Sequence, residues 1–279
     1  MDVGRAMVAW GVVALLAGCG DSGNGGTPDG GSDSEAKVRF AHLSPDAPAF
    51  DVCARTSGTT AWGQPRLAPA GVSGGLSFPS VSLALPLAPG GWDFRLVAAG
   101  SADCNTGLLG LPDSINVTLD TGGHFTFAGV GYVAPPQGSA SFFRFQEYID
   151  DAVLPASGMT KLRLVHASPN AGRVIFGLNS GSTFQPLSGS VPFPFTASGQ
   201  GIVNGYQELS PMSGAVLAIR PEGSPFDVAD SQPMDLPANA IQGVWVIGLA
   251  GGTGTQSLGF LVCQESGSPS GGLAPCVRR

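Results

Sequence analysis

Charge is scarce in this chain of 279 residues: Asp, Glu, Lys and Arg make up 12% of it, and aromatic residues only 8%. The basic side is the scarcer, with 13 Lys and Arg against 20 Asp and Glu, so there is no basic footprint for a phosphate backbone and no nucleic-acid partner is expected. With so few long charged side chains, coiled coils and long surface helices fit poorly. Only three histidines are present, which leaves little material for triads or metal clusters. What the chain does have is 43 glycines and 23 prolines, about twice the usual share, beside 43% apolar residues. That apolar content is too high for a disordered chain. Short strands joined by many turns fit it best.

Residues 1–18 read as an export signal. Arg5 and the amino terminus supply positive charge, and Ala6–Gly18 is apolar. This run is too short for a spanning helix, which needs about 20 residues, but suits a signal core. It ends in Leu16-Ala17-Gly18-Cys19, which resembles the lipobox of bacterial lipoproteins. The resemblance implies cleavage before Cys19 and a lipidated new terminus carrying diacylglycerol and palmitate. Residues 19–35 follow as a Gly/Ser/Asp-rich tether with four acids and no base. Such a coil reaches about 20–25 Å. It is repelled from anionic headgroups and suits a spacer.

Five cysteines are an odd number. With Cys19 taken by lipid, Cys53, Cys104, Cys263 and Cys276 remain, and none of them sit at C-x₂₋₄-C zinc spacing. Disulfides are therefore expected, and an oxidising envelope permits them. Four cysteines allow three pairings. Cys53–Cys104 with Cys263–Cys276 is favoured, because each pair closes within one half of the chain. Beyond residue 35 the chain holds 12 bases and 15 acids, a balance that implies no electrostatic partner.

An internal repeat organises the rest. Residues 37–47, KVRFAHLSPDA, match residues 161–171, KLRLVHASPNA, at six of eleven positions. Downstream, His124–Gly129 aligns loosely with Gly243–Gly248, and Phe143–Glu147 with Leu261–Glu265. Within each copy the apolar pattern has a period of two: Val38, Phe40 and His42 alternate with Arg39, and Leu162, Leu164 and His166 with Arg163. Strand-like runs cover Val81–Leu87, Trp92–Ala98, Ile115–Asp120 and Phe125–Val133. Arg173–Leu178, Ala215–Arg220, Gln242–Leu249 and Ser257–Cys263 mirror them. Pro86 should sit on an edge strand or end one. About seven short strands per copy predict an all-β chain of two tandem antiparallel, immunoglobulin-like β-sandwich domains. The expected boundaries are residues 36–150, a linker over 151–160, and residues 161–279 with a C-terminal disulfide tail. The stretch Arg39-Phe-Ala-His-Leu-Ser-Pro-Asp-Ala-Pro48, followed by Phe50-Asp51-Val52, resembles the start of the domain-of-unknown-function family 4397. That resemblance implies an all-β fold and an envelope address, and carries over no catalytic residue.

Each candidate for chemistry has a plainer structural reading. His42 and His166 precede Ser44-Pro45-Asp46 and Ser168-Pro169-Asn170. The expected role of this motif is structural, each imidazole fixing the turn by hydrogen bonds, and not metal ligation or base catalysis. Asp46 and Asp51 could join carbonyls around calcium, but the second copy has Asn170 where the first has Asp46. Gly71-Val-Ser73-Gly-Gly75 matches the hydrolase nucleophile pattern without a helical period after it. Gly129-Val-Gly131 echoes a dinucleotide fingerprint, again with no helix to follow. Trp62, Trp92, Trp245 and Phe142-Phe143 could form a sugar platform. Alternation places most of them in cores, and Trp62 on a loop. Asn116-Val-Thr118 fits a glycosylation pattern that is uninformative in a bacterial lipoprotein.

The resulting expectation is a lipid-anchored cell-envelope protein, on the outer membrane in preference to the inner, with no catalytic residue, metal or cofactor. It would be a non-enzymatic module for an envelope protein or polysaccharide. The first alternative is a small-ligand or solute-binding lipoprotein, which calls for an apolar pocket with convergent polar groups at the seam between the halves; a large closed contact there would favour it and a bare hinge would count against it. The second is an envelope hydrolase acting through Ser73.

Overall fold

The computed structural model describes residues 34–181, 183–266 and 272–279. The signal segment, Cys19 and all but the last two residues of the tether lie outside these. The described chain is a β-sandwich protein, and its only helices are two single turns at Leu108–Gly110 and Gly254–Gln256. Among the described residues no helix is long and apolar enough to cross a membrane.

The first half contributes β1 (Ala36–His42), β2 (Phe50–Thr56), β3 (Ser80–Val81), β4 (Leu85–Leu87), β5 (Gly90–Ala98), β6 (Ser114–Leu119), β7 (His124–Val130) and β8 (Arg144–Ile149). The second contributes β9 (Thr160–His166), β10 (Val174–Ser180), β11 (Thr183–Val191), β12 (Tyr206–Leu209) and β13 (Met212–Pro221). It is completed by β14 (Ala229–Asp230), β15 (Met234–Leu236), β16 (Ile241–Ile247), β17 (Gly259–Gln264) and β18 (Cys276–Arg278). An inner sheet of order β3-β1-β7-β8, with β4 also on β1, packs on an outer sheet β2-β5-β6. The second inner sheet, β12-β9-β16-β17-β18, packs on an outer sheet β11-β10-β13-β14 joined by β15. Pro86 falls in β4, an edge strand whose one partner is β1, where its missing N–H costs no ladder bond.

The alternating residues sort as the period of two requires. Val38 and Phe40 enter the first core with Phe94 and Phe127, and Phe94 and Phe127 meet at 4.9 Å between ring centres. Leu162 and Leu164 enter the second core. The opposite face of β1 and β9 is also covered. Ala41, Leu43, Ala128 and Val130 pack against Val165, Ala167, Trp245 and Ile247 in a third core between the two inner sheets. The order of layers is thus outer, inner, inner, outer. β1 is buried almost throughout, as a strand covered on both faces should be.

The ladders also correct the downstream alignment. β1 runs parallel to β7 with Arg39 opposite Thr126, and β9 runs parallel to β16 with Arg163 opposite Gly243. Thr126 faces Tyr148 on β8, and Gly243 faces Cys263 on β17. By ladder position, then, Thr126 corresponds to Gly243, Tyr148 to Cys263, and Asp150 to Glu265. The sequence alignment had slipped by two residues on β7 and by three on β8. A slip of two leaves the inside–outside alternation unchanged, so hydrophobic pattern cannot detect it.

Both expected disulfides are present, Cys53–Cys104 with Cα atoms 5.9 Å apart and Cys263–Cys276 at 4.0 Å. The second does more than close a tail. Leu83 N–H donates to Gly272 O and Ala274 N–H to Val81 O, both at 2.8 Å, so the C-terminal segment pairs with the first half. Two residues later, Cys276 lies opposite Cys263 on β17. The segment is a stitch across the seam, fastened by sulfur.

Replacing Cys263 and Cys276 by Ala opens a bridge of sequence separation 13, at a cost of about 3 kcal/mol. Amide exchange should then accelerate at Leu83 and Ala274 while Phe127 stays protected. Unchanged exchange at Leu83 would show that the stitch holds without the bond.

Candidate functional site

The His-x-Ser-Pro stretches stand where β1 and β9 end. His42 Nε2–H donates to Pro48 O at 3.1 Å, and its ring stacks on Phe50 with 4.6 Å between centres. His166 Nε2–H donates to Gly172 O at 2.6 Å. In both, Nδ1 is buried without a partner, which marks a neutral imidazole bearing its proton on Nε2. Burial depresses both histidines below their ordinary value, His166 to about 4. Ser44 Oγ–H donates to Gly131 O at 2.6 Å, and Asp46 accepts from Val133 N–H at 2.9 Å and Ala134 N–H at 2.8 Å. Asn170 does the equivalent work on one peptide, accepting from Ala250 N–H at 2.8 Å and donating to Ala250 O at 3.1 Å. An amide can replace the carboxylate here because the second loop offers a carbonyl as well as an N–H. Ser168 Oγ is buried and has no partner.

Each turn is also held by the opposite half. Gln256 Nε2–H donates to Pro45 O at 2.7 Å, and Ser141 Oγ–H to Pro169 O at 2.8 Å. The echo of a dinucleotide fingerprint is explained here too. Gly131 and Gly248 occupy matching ladder positions with φ of 89° and 80°, and a Cβ at either would strike the backbone of Phe142 or Ser257.

At the other end of the seam lies a buried charged cluster. Arg39 and Arg163 occupy the polar positions of the alternating pattern, and both are buried, Arg163 completely. Arg39 donates to Asp150 through Nε at 3.1 Å and Nη2 at 2.8 Å, and to Glu265 through Nη2 at 3.1 Å. Arg163 pairs with Asp150 and donates through Nη2 to Ile149 O at 3.1 Å. Thr126 Oγ1–H donates to Asp150, and Tyr206 O–H to Glu265 at 2.9 Å. The rings of Tyr148, Tyr206 and Trp245 surround the Arg163 guanidinium at 5.2–5.5 Å. Burial favours the neutral acid at Asp150, but Arg163 and Arg39 outweigh it and hold the carboxyl below its usual range. For Arg39 burial disfavours the charge, yet Glu265 and Asp150 hold the guanidinium above its ordinary value. Two arginines at matching positions of the halves thus meet two acids at matching positions.

A cavity of about 490 Å³ adjoins this cluster, walled by residues of both halves, among them Lys37, Arg39, Leu83, Asp150, Ile241 and Glu265. The other candidates stay apart from it. Asp51 accepts from Val52 N–H at 2.6 Å and Leu67 N–H at 2.9 Å, so Asp51 and Asp46 both face N–H donors where calcium would need free oxygen. Among the described residues no three His, Cys, Asp or Glu side chains converge on a metal position. Ser73 is exposed in turns with neither a strand before it nor a helix after it. Trp62 covers the outer sheet beside the Cys53–Cys104 bridge, with Arg55 over its ring at 4.2 Å and Arg95 at 4.4 Å. Trp245 is buried in the seam, and Trp92 packs on the first core.

Replacing Asp150 with Asn leaves two buried guanidiniums short of a charge and should cost about 3–5 kcal/mol in urea unfolding. Glu222→Gln, at the exposed pair with Arg173, should cost less than about 1 kcal/mol. Equal losses would show that the buried cluster holds the seam no more than a surface pair does. For His166, the unfolded chain protonates near 6.5 and the folded chain near 4, so stability present above pH 6.5 is lost as the pH falls toward 4. The loss is about 3 kcal/mol in total. His42→Gln with His166→Gln should flatten the profile across that window, and an unaltered profile would mean that other groups set it.

The family described as Domain of unknown function (DUF4397) matches residues 36–176. No curated protein matches the chain. The matched stretch starts at the first residue of β1 and ends within β10. Since it spans half of the chain and includes both His-x-Ser-Pro turns with Arg39, Asp150 and Arg163, the chain belongs to the DUF4397 family.

Proposed function

We propose that this protein is a lipid-anchored module of the bacterial cell envelope, built from two tandem copies of one domain and displayed from the outer membrane. Residues 1–18 direct export, Cys19 carries the lipid, and the tether to residue 35 holds the folded part off the bilayer. Its role is non-enzymatic: it presents one end to an envelope protein or polysaccharide. The observation that carries this reading is the polarity of the fold. β1 starts at Ala36, where the tether joins, and runs to His42. β9 runs from Thr160 to His166 in the same sense, and the loops beyond them meet through Gln256 to Pro45 and Ser141 to Pro169. The loops of both halves therefore gather at the end opposite the tether. Phe142, Phe195 and Phe226 stand exposed on the segments there, Phe226 at 76%. Exposed aromatic side chains on a polar surface are the usual anchors of recognition. Two disulfides are in keeping with an oxidising compartment.

Photo-crosslinking side chains placed at Phe142, Phe226 and, near the tether, Asp120 test the reading in intact cells. One defined adduct is expected at both loop-end positions and none at Asp120. With residues 1–18 replaced by a signal that is cut without a lipobox, Cys19→Ala should move the protein from the membrane to the soluble fraction and abolish the adduct. Labelling at Asp120 equal to that at the loops, or no adduct at all, would sink the module reading. Retention of Cys19→Ala in the membrane would sink the anchor.

A further inference from the structure

The cavity at the tether end of the seam carries an inference that goes beyond the loop-end reading and does not depend on it. Its surroundings are short of negative charge. Lys37, Arg39, Lys161 and Arg163 bring four cations to this region, against the three carboxylates of Asp150, Asp151 and Glu265. Every one of those carboxylates is engaged. Asp150 takes Arg39, Arg163 and Thr126; Asp151 takes Lys161 at 2.9 Å; Glu265 takes Arg39 and Tyr206. Among the described residues no acid pairs with Lys37. Arg39 engages Nε and Nη2 and keeps Nη1 as a further donor on a residue that lines the cavity. Arg163 Nε is buried without an acceptor, a second sign that donors outnumber acceptors here.

Lys37 and Arg39 are two residues apart on β1, so both project from the face turned to the seam. The rest of the wall is largely apolar, with Leu83, Pro86, Leu154 and Ile241. At about 490 Å³ the cavity has the size of small-molecule sites, and the two inner sheets meet beside it in a closed apolar contact, without a bare hinge. A metal cation or an amine would find no open carboxylate. A neutral molecule would leave Lys37 unanswered.

We propose that the seam cavity binds a small organic monoanion, its carboxylate taken by Lys37 and Arg39 and its short hydrocarbon body by Leu83, Pro86, Leu154 and Ile241. The test uses the mature chain, residues 19–279, carrying Cys19→Ala, which has neither lipid nor signal and needs no detergent, titrated with hexanoate, hexanol and hexylammonium while the amides of Ala84, His124 and Ala152 are followed by NMR. Hexanoate should give saturable shifts, with affinity at least about tenfold above hexanol, the factor that one charge-assisted contact supplies. Hexylammonium should give none. Lys37→Met should weaken hexanoate by about tenfold or more, and Lys37→Arg should restore it, since either cation can meet a carboxylate. Hexanol binding as tightly as hexanoate, a preference for hexylammonium, no saturable shift with any of the three, or indifference to Lys37→Met would each overturn the proposal.

Discussion

Two arginines and two acids buried between apolar sheets are a costly way to join two halves of a protein. Desolvating such groups costs several kcal/mol each, and well-packed hydrophobic residues would hold the seam at least as tightly. The cluster therefore acts on specificity more than on net stability. Arg39 and Arg163 sit at the same ladder position in β1 and β9, Asp150 and Glu265 at the same position just past β8 and β17. Sliding one inner sheet past the other by a single residue would move a guanidinium off its carboxylates and leave an uncompensated charge in the third core. Apolar packing alone, among Ala41, Ala128, Val165 and Ile247, has no such selectivity. The ionic contact sets the register, and the apolar contact gives the seam its strength.

Once that register is fixed, the remaining seam contacts become possible. The C-terminal segment can reach Val81 and Leu83 only if β17 lies at the correct height beside β3, and the Cys263–Cys276 bridge then holds it there. At the far end, the carbonyls of Pro45 and Pro169 each accept a bond from the opposite half. Charge at one end, a stitched strand at the side and crossed turns at the other end oppose hinge motion in different directions. Opening the seam would expose Trp245 and separate paired charges at the same time.

The strands were legible because glycine, proline and a period of two mark them from one residue to the next. The cysteine pairing was legible because Cys53 and Cys104, like Cys263 and Cys276, fall in one half. Arg39 and Arg163 were legible only as the polar side of an alternation, which ordinarily faces water. The clue that this face is covered was their company: the neighbours at Ala41 and Leu43, and at Val165 and Ala167, are apolar, as in strands buried on both sides. Asp150 and Glu265 escaped for another reason. Aligning Phe143 with Leu261 leaves β8 and β17 three residues out of ladder register, and Asp150 and Glu265 lie just past the ends of those strands, where no apolar alternation remains to fix the match. The Gly/Pro surroundings of Trp62 mark a loop, but nothing in the sequence shows that arginines from two different strands lie over its ring.

Sequence reasoning could point to the seam as the place for a pocket but could not name its wall, which is assembled from β1, β4, β7, β16, β17 and the segments that follow β3, β8 and β17. Its presence follows from the cluster beside it. Side chains locked into a fixed set of ion pairs cannot swing to fill space, and the strand ends that carry them are held at the distance those pairs require. The same pairing neutralises Asp150, Asp151 and Glu265, so that the field in the cavity is set by the cation left over. Removing Lys37 should therefore change what the cavity prefers while leaving the seam intact. Removing Asp150 should weaken the seam first and change the cavity only as a consequence.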